Sequence, residues 1–214
     1  MAIPKKKRRS GRSAARGAEA LPTRSDILER AAHLIGKKGF VGMSAQDIAD
    51  ELQFSKANFF YHVRSKEELL HEIFVENLNY GIRHVEAIIA RPDAPPDRLL
   101  ALMEFYVRLN TERAAIMLVW YKEKSHLTAA HQKVINQLED RIATMLNQFY
   151  RSGVKSGHFL QIDSRIARVA IFGMAFALTR WPRLRDEFTH EELVRQIQKV
   201  ACEGLLRPVA GNAR

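Results

Sequence analysis

Cysteine is almost absent from this sequence of 214 residues, which contains only Cys202. A single cysteine excludes an intramolecular disulfide bond and is typical of proteins that stay in a reducing cytosol. We expect Cys202 to be a small buried apolar side chain rather than a redox group. Long apolar runs are also missing, because the longest stretch without charge, 169–179, is far shorter than the roughly 20 residues of a membrane-spanning helix. With no apolar segment after the basic N-terminus, we expect a cytoplasmic protein.

Signatures of catalysis are missing as well. The sequence contains no Walker loop, no G-x-S-x-G, no H-E-x-x-H and no G-x-G-x-x-G. Glu123 and His126 form an E-x-x-H pair, a spacing that di-metal helical bundles use. Such sites need further carboxylates on facing helices, and His131 does not complete a usual ligand set. We interpret the pair as a surface ion pair and predict no enzyme, no metal site and no cofactor.

Positive charge is concentrated at the N-terminus. Seven basic residues and one acidic residue give residues 1–22 a charge of +6, out of +10 for the chain. A segment rich in Arg, Lys, Gly, Ser and Ala cannot bury enough apolar surface to fold alone. We predict a disordered basic arm that follows DNA phosphates or enters the minor groove. A solvated tail that only improves solubility is the alternative.

The remaining pattern is helical. No segment shows sustained alternation of apolar and polar residues, and no Asn-Gly or Asp-Gly hairpin signal occurs. Clustered prolines in residues 91–96 mark the clearest break. Beside two short helices between residues 44 and 62, the apolar spacing predicts helices over residues 23–38, 65–90, 99–109, 112–124, 128–152, 164–180 and 189–206.

Residues 44–66, SAQDIADELQFSKANFFYHVRSK, carry the most informative pattern. Ser44 and Asp47 are spaced as a capping box that begins a short helix, and its apolar residues fall on one face. A second short helix follows after a tight turn, and Ser65 with Glu68 forms another capping box at the start of a third. Two short helices joined in this way place the second helix in the major groove of DNA. The pattern predicts a DNA-binding head.

Three tracts carry a resemblance to a known family: TRSDILERAAHLIGKKGF from Thr23, the S-x-x-D-I-A of residues 44–49, and SKANFFYHVRSKEELL from Ser55. With them, residues 23–74 resemble the N-terminal domain of the TetR/AcrR family of bacterial transcriptional regulators. The resemblance implies an all-α protein with a three-helix DNA-binding head, containing the helix-turn-helix, on a larger helical ligand-binding and dimerisation body.

The resemblance also implies a domain order and a function. A helix-turn-helix domain at 23–74 would follow the arm, an effector-binding and dimerisation domain would span 75–206, and a tail would occupy 207–214. The implied protein is a ligand-responsive regulator, most simply a repressor, that binds a palindromic operator in double-stranded DNA as a homodimer. A DNA-bound structural or protein-interaction factor of the same fold, without a small-molecule effector, is the alternative.

Side chains of the second short helix can read bases. Asn58 can form two hydrogen bonds with adenine, Ala57 can touch a thymine methyl, and Lys56 can reach guanine or a phosphate. The family pattern implies that Ser44, Tyr61, His62 and Lys66 contact the DNA backbone. Together the candidate DNA-binding residues are Ser44, Ser55, Lys56, Ala57, Asn58, Phe60, Tyr61, His62 and Lys66.

Three positions depart from the family pattern in this region, and one of them, Arg64, replaces a frequent proline and can add a phosphate contact. Gln53 stands in the turn where glycine is usual, and a left-handed backbone there costs a residue with a side chain about 1 kcal/mol. We therefore expect a slightly different turn. Phe60 stands where tyrosine is common, so that one hydroxyl contact to DNA is missing.

Large apolar side chains in the body are candidates for an effector pocket, although a role in the hydrophobic core is the simpler explanation for each of them. The candidates are Met117, Trp120, Tyr121, Met145, Phe149, Phe172, Met174 and Phe176. A faint resemblance of residues 153–159 and 165–181 to lipid-responsive members of the family favours a hydrophobic or acyl ligand, for example an acyl-CoA thioester. Small residues at 170, 173, 175 and 177 make their helix, together with the last helix, a candidate dimer interface.

Overall fold

The computed structural model describes residues 24–53 and 63–203, and in these ranges it contains helices and turns but no strand. The helices are α1 (Arg24–Lys38), α2 (Ala45–Glu51), α3 (Lys66–Ile89), α4 (Pro95–Glu112), α5 (Ala114–Glu123), α6 (Ala129–Lys155), α7 (Ser164–Ala177), α8 (Pro182–Glu187) and α9 (His190–Glu203). A short 3-10 turn, Lys124–His126, joins α5 to α6. The all-α prediction is confirmed. None of the described helices is long and apolar enough to cross a membrane.

Local capping signals set several helix ends. Gly39, with φ of 78°, ends α1 and donates its N–H to the Ile35 carbonyl at 2.8 Å. Asp163 begins α7, since its carboxylate accepts the N–H of Arg165 at 2.8 Å. Thr189 precedes α9, and it exchanges hydrogen bonds with Glu192 in a complete capping box. These ends lie where the sequence predicted them because each depends on neighbours within about one turn.

Other helix ends differ from the prediction. α4 begins at Pro95 rather than at residue 99, because a proline in the first turn of a helix sacrifices no hydrogen bond. α6 continues through Gly153 to Lys155. There the absent side chain makes room for Phe159, whose ring would lie 2.0 Å from an added Cβ. α7 ends at Ala177, and the short α8, which the sequence did not indicate, begins at Pro182.

The head and the body share one hydrophobic core. Ala31, Ile35, Ile48 and Phe74 are buried in the head, and Val119 of α5 belongs to the same cluster. The remaining buried body members of this cluster are Leu78, Ile116, Leu127 and Ile135. The head therefore rests directly on α5 and on the first turns of α6.

Two further clusters form the body. The first joins α3, α4, α5 and α6 around Val85, Leu102 and Leu146. The second joins α4, α7 and α9 through Val107, Ala175 and their neighbours. Cys202, near the end of α9, is exposed, so the prediction of a buried cysteine is wrong. Cys202 is exposed because it lies on the outward face of the amphipathic helix α9.

Candidate DNA-binding head and ligand cavity

A complete capping box fixes the start of α2. The backbone N–H and the hydroxyl of Ser44 both donate to Asp47 Oδ2 at 2.7 Å, and the Asp47 N–H donates to Ser44 Oγ at 3.1 Å. The backbone N–H is the largest cause that lowers the pKa of the Asp47 carboxyl. Ser44 is exposed at this corner, and its contact with DNA stays a prediction.

The turn after α2 keeps the left-handed backbone that glycine usually provides. Gln53 has φ of 59°, and its N–H donates to the Asp50 carbonyl at 3.0 Å. The expectation of a different turn is therefore wrong at this residue. The fold tolerates the steric cost at Gln53 rather than rerouting the chain.

The recognition segment lies outside the described residues. It holds most of the residues predicted to contact DNA, namely Ser55, Lys56, Ala57, Asn58, Phe60, Tyr61 and His62. The basic arm at 1–22 and the tail at 207–214 lie outside as well. Their roles stay predictions.

Lys66, the other predicted contact to the DNA backbone, also has a role inside the head. Its ammonium donates to the carbonyls of Phe40 at 3.3 Å and Met43 at 3.1 Å, and it lies 4.6 Å from the centre of the Phe40 ring. A lysine ammonium has three N–H donors. One donor therefore remains for a phosphate, while the other two hold the loop between α1 and α2 against the start of α3.

Glu123 joins this loop to the body. Its carboxylate accepts the Phe40 N–H at 3.4 Å and lies 3.4 Å from His126 Nε2. Glu123 is only 8% exposed, so the interpretation of the E-x-x-H pair as a surface ion pair is wrong for its acidic member. Sequence spacing placed Glu123 and His126 together, but it could not show that the loop carrying Phe40 covers the carboxylate.

A cavity of about 410 Å³ lies within the body between α3, α4, α5, α6 and α7. Four of the predicted ligand residues line it: Met117, Trp120, Phe172 and Phe176. Its other lining residues include Gly81, Leu109, Ile142, Ala143 and Leu146, with the polar Asn77, Tyr106, Glu139, Asp140 and Arg168. We call this space the central cavity.

Sequence reasoning missed the polar groups of the central cavity. Asn77 is 5% exposed; it donates to Met117 Sδ at 3.5 Å, while its carbonyl oxygen has no partner among the described residues. Burial raises the pKa of the Tyr106 phenol, against a smaller opposing effect of Arg168. Arg168 itself donates to Asn147 at 3.3 Å. Polar residues at core positions of amphipathic helices were the signal that could have revealed them.

The other predicted ligand residues lie elsewhere. Met145 and Phe149 line a separate cavity of about 370 Å³ beside Arg98, whose guanidinium lies 5.5 Å from the Phe149 ring. Tyr121 is half exposed, and Arg180 lies over its ring at 4.7 Å. Met174 faces α9 rather than the central cavity.

α7 carries an exposed apolar face. Ile166 and Val169 are 64% and 61% exposed, and the small residues Ala170 and Gly173 are exposed beside them. Ala175, by contrast, is buried in the protein's own core. The exposed Trp181 and Phe188 and an apolar groove against α9 extend this face. We call it the α7 face.

Comparison with known proteins decides the family. Residues 27–73 match the model for bacterial regulatory proteins of the tetR family. Residues 92–205 match the tetracyclin repressor-like C-terminal domain. The chain belongs to the TetR family. It is a helix-turn-helix transcriptional regulator, and the relatives that it matches are regulators rather than enzymes.

Several known proteins are similar over most of the chain. The transcriptional repressor KstR2 of Rhodococcus jostii is 24% identical over 190 residues, which cover 86% of this chain and 92% of that protein. The regulator PfmR of Thermus thermophilus is 31% identical with a TM-score of 0.77, over 85% of this chain and 99% of its own. AibR, solved with isovaleryl coenzyme A and operator DNA, is 23% identical with a TM-score of 0.73. The match covers 82% of this chain and 96% of the AibR chain.

Proposed function

We propose that this TetR-family regulator is a repressor that binds a palindromic operator as a homodimer and is released by a hydrophobic or acyl-type small molecule. The central cavity carries the proposal. A space of about 410 Å³ falls within the usual size of small-molecule sites, and such sites combine apolar walls with a few polar groups.

The lining of the central cavity favours an amphipathic ligand. Met117, Trp120 and Phe172 supply apolar surface for an acyl chain or a ring system. The carbonyl oxygen of Asn77, which has no partner among the described residues, would accept a hydrogen bond. Lys124 pairs with Glu139, which leaves Asp140 and Arg168 as the opposite charges of the lining, and Arg168 would bind a carboxylate or a phosphate. AibR, a protein of similar fold, was solved with an acyl-CoA and operator DNA, which supports the same ligand class here.

The position of α5 supports coupling between the central cavity and the head. Met117 and Trp120 line the cavity from α5, while Val119 packs in the core shared with α1. At the end of α5, Glu123 accepts the N–H of Phe40. A ligand that moves α5 would therefore move the head, and it releases DNA only if it binds the two arrangements with different affinity.

A cavity-filling substitution tests the proposal. The operator is first selected from a random DNA library, and release is then followed by fluorescence anisotropy with a panel of acyl-CoA thioesters and fatty acids. Ala143→Leu adds volume to the cavity wall and should leave operator affinity within about threefold. It should weaken the response to the releasing compound by at least about tenfold, because the displaced ligand contacts are worth more than about 1.4 kcal/mol.

Thr144→Leu is the matched control, because Thr144 lies next to Ala143 on the exposed side of α6. It should respond like the unmodified protein. A protein that no compound releases, or an Ala143→Leu variant with an unchanged response, would contradict the effector proposal. Equal affinity for operator and random DNA would favour a structural DNA-bound factor instead.

A further inference from the structure

Three side chains meet where the start of α3 contacts the start of α6. Glu68 and His71 lie three residues apart on α3, and His131 lies on α6. One potential ligand atom of each lies within 4.8 Å of the others. His131 Nε2 is 3.5 Å from Glu68 Oε2, and the two imidazole rings stack with their centres 4.1 Å apart. We call these residues the His-His-Glu cluster.

Most of the ring nitrogens in the cluster lack a partner. Both nitrogens of His71 and Nδ1 of His131 are closed to solvent and form no hydrogen bond within residues 24–53 and 63–203. A buried polar nitrogen without a partner is costly, and native proteins usually satisfy such groups. Burial is the largest cause that lowers the pKa of His71. A neutral imidazole has one ring nitrogen with a free lone pair, which can ligate a metal ion.

The Glu68 carboxylate faces the histidines instead of closing its capping box. Ser65 Oγ accepts the Glu68 N–H at 3.1 Å, as the sequence predicted. The reciprocal half of the box does not appear, and the carboxylate lies beside His131. A groove lined by Glu68, His71, Glu72 and Glu76 opens next to the cluster. Arg24 pairs with Glu72 and Arg83 pairs with Glu76, so that Glu68 is the one carboxylate among these described lining residues without an arginine partner.

We propose that Glu68, His71 and His131 bind one divalent transition-metal ion, for which zinc is the best match. Two imidazoles and one carboxylate form a usual zinc ligand set that leaves a fourth position for water. Bonds of about 2.0 Å in a tetrahedral site require donor atoms roughly 3.3 Å apart. The pair His131 Nε2 and Glu68 Oε2, at 3.5 Å, nearly meets this requirement. The third donor, a ring nitrogen of His71, lies within 4.8 Å of the other two and would have to move closer when the ion binds.

The bound ion would join the head to the body. Glu68 and His71 follow the recognition segment by less than two turns of α3, whereas His131 belongs to α6. An ion held by all three fixes the start of α3 against α6. The prediction of no metal site overlooked a signal in the sequence, because Glu68 and His71 have the same E-x-x-H spacing as Glu123 and His126.

Metal titration of the full-length, tag-free protein tests the site. The exposed Cys202 is first replaced by serine so that its thiol does not compete for metal. Zinc affinity is measured by competition with a chromophoric chelator, and cobalt binding by visible absorption. We expect one zinc ion per chain, a cobalt spectrum of a four-coordinate site, and a higher melting temperature with zinc.

Substitutions distinguish zinc binding at the His-His-Glu cluster from zinc binding by other histidines. His71→Ala, His131→Ala and the size-conserving Glu68→Gln should each weaken zinc binding by at least about tenfold. His126→Ala removes the histidine of the other E-x-x-H pair and should bind zinc like the parent. Circular dichroism checks folding, and Glu68→Gln is decisive if a histidine variant unfolds. A parent protein that binds no zinc, or cluster variants that bind it as the parent does, would overturn the proposal.

Discussion

Gln53 shows how a single residue can carry a local steric cost for the fold. Its φ of 59° places the backbone of Gln53 in the left-handed region, where glycine has no steric penalty. We predict that Gln53→Gly raises the free energy of unfolding by about 1 kcal/mol, since relief of the steric cost exceeds the added flexibility of the unfolded chain. Urea denaturation followed by circular dichroism measures the change.

Gln46→Gly is the matched control for this prediction. Gln46 lies within α2, where it donates to Asp50 at 2.6 Å. Glycine there should lower stability by about 1 kcal/mol. Destabilisation by both substitutions would show that the left-handed turn at Gln53 has no relievable cost.

The sequence predicted the hydrogen bonds of single residues well where both partners lie close together in the chain. The capping partners Ser44 and Asp47 lie three residues apart, so the motif contains the whole interaction. The burial of Glu123 depends on the N–H of Phe40, which is 83 residues away in the chain. The exposure of Cys202 likewise depends on how α9 is oriented. No local pattern contains such information.

Lys66, at the start of α3, connects this helix to the loop between α1 and α2, and its contacts predict the effect of replacing it. Lys66→Met removes two charged hydrogen bonds to the loop after α1, at Phe40 and Met43. We expect the free energy of unfolding to fall by about 1–2 kcal/mol. Operator binding should weaken as well, because the loop precedes α2. Thermal unfolding and fluorescence anisotropy measure the two effects.

Arg64→Met serves as the control for Lys66, because Arg64 is an exposed cation two residues earlier. It should affect DNA binding only through charge and leave stability within about 0.5 kcal/mol. If Lys66→Met weakened DNA binding but left stability unchanged, Lys66 would act as a phosphate contact alone.

Helical periodicity predicted the helices of the body, but it did not predict which residues of different helices lie next to one another. It identified the apolar stripes that contain Met117 and Phe149, and both residues are buried. Only Met117 lies in the central cavity, while Phe149 packs beside Arg98. A stripe defines the inward face of one helix. The volume left between five helices depends on their packing, which no single stripe specifies.

The α7 face gives a prediction for the whole molecule. Large exposed apolar surfaces usually mark an interface, and we expect a second copy of the chain to cover Ile166 and Val169. Val169→Glu should weaken dimer association by at least about a hundredfold, because an unpaired carboxylate in an apolar interface costs about 3 kcal/mol. Analytical ultracentrifugation measures the association, and operator affinity should fall with it.

Val134→Glu is a suitable control, because Val134 is an exposed valine on α6, away from the α7 face. It should remain dimeric. A Val169→Glu variant that sedimented as a dimer would show that the dimer interface lies elsewhere. A parent protein that sedimented as a monomer would show that no such dimer forms.

The shared core of head and body limits how this regulator can be rebuilt. A hybrid made by cutting within α3 would separate Ile35 and Phe74 from Val119, although these residues pack in one cluster. It would also remove Glu123 from the N–H of Phe40. A transplanted head would therefore need a matching surface on α5 of its new host. Operator specificity and the proposed ligand response are thus separable in this protein only if the facing residues of α1 and α5 are exchanged together.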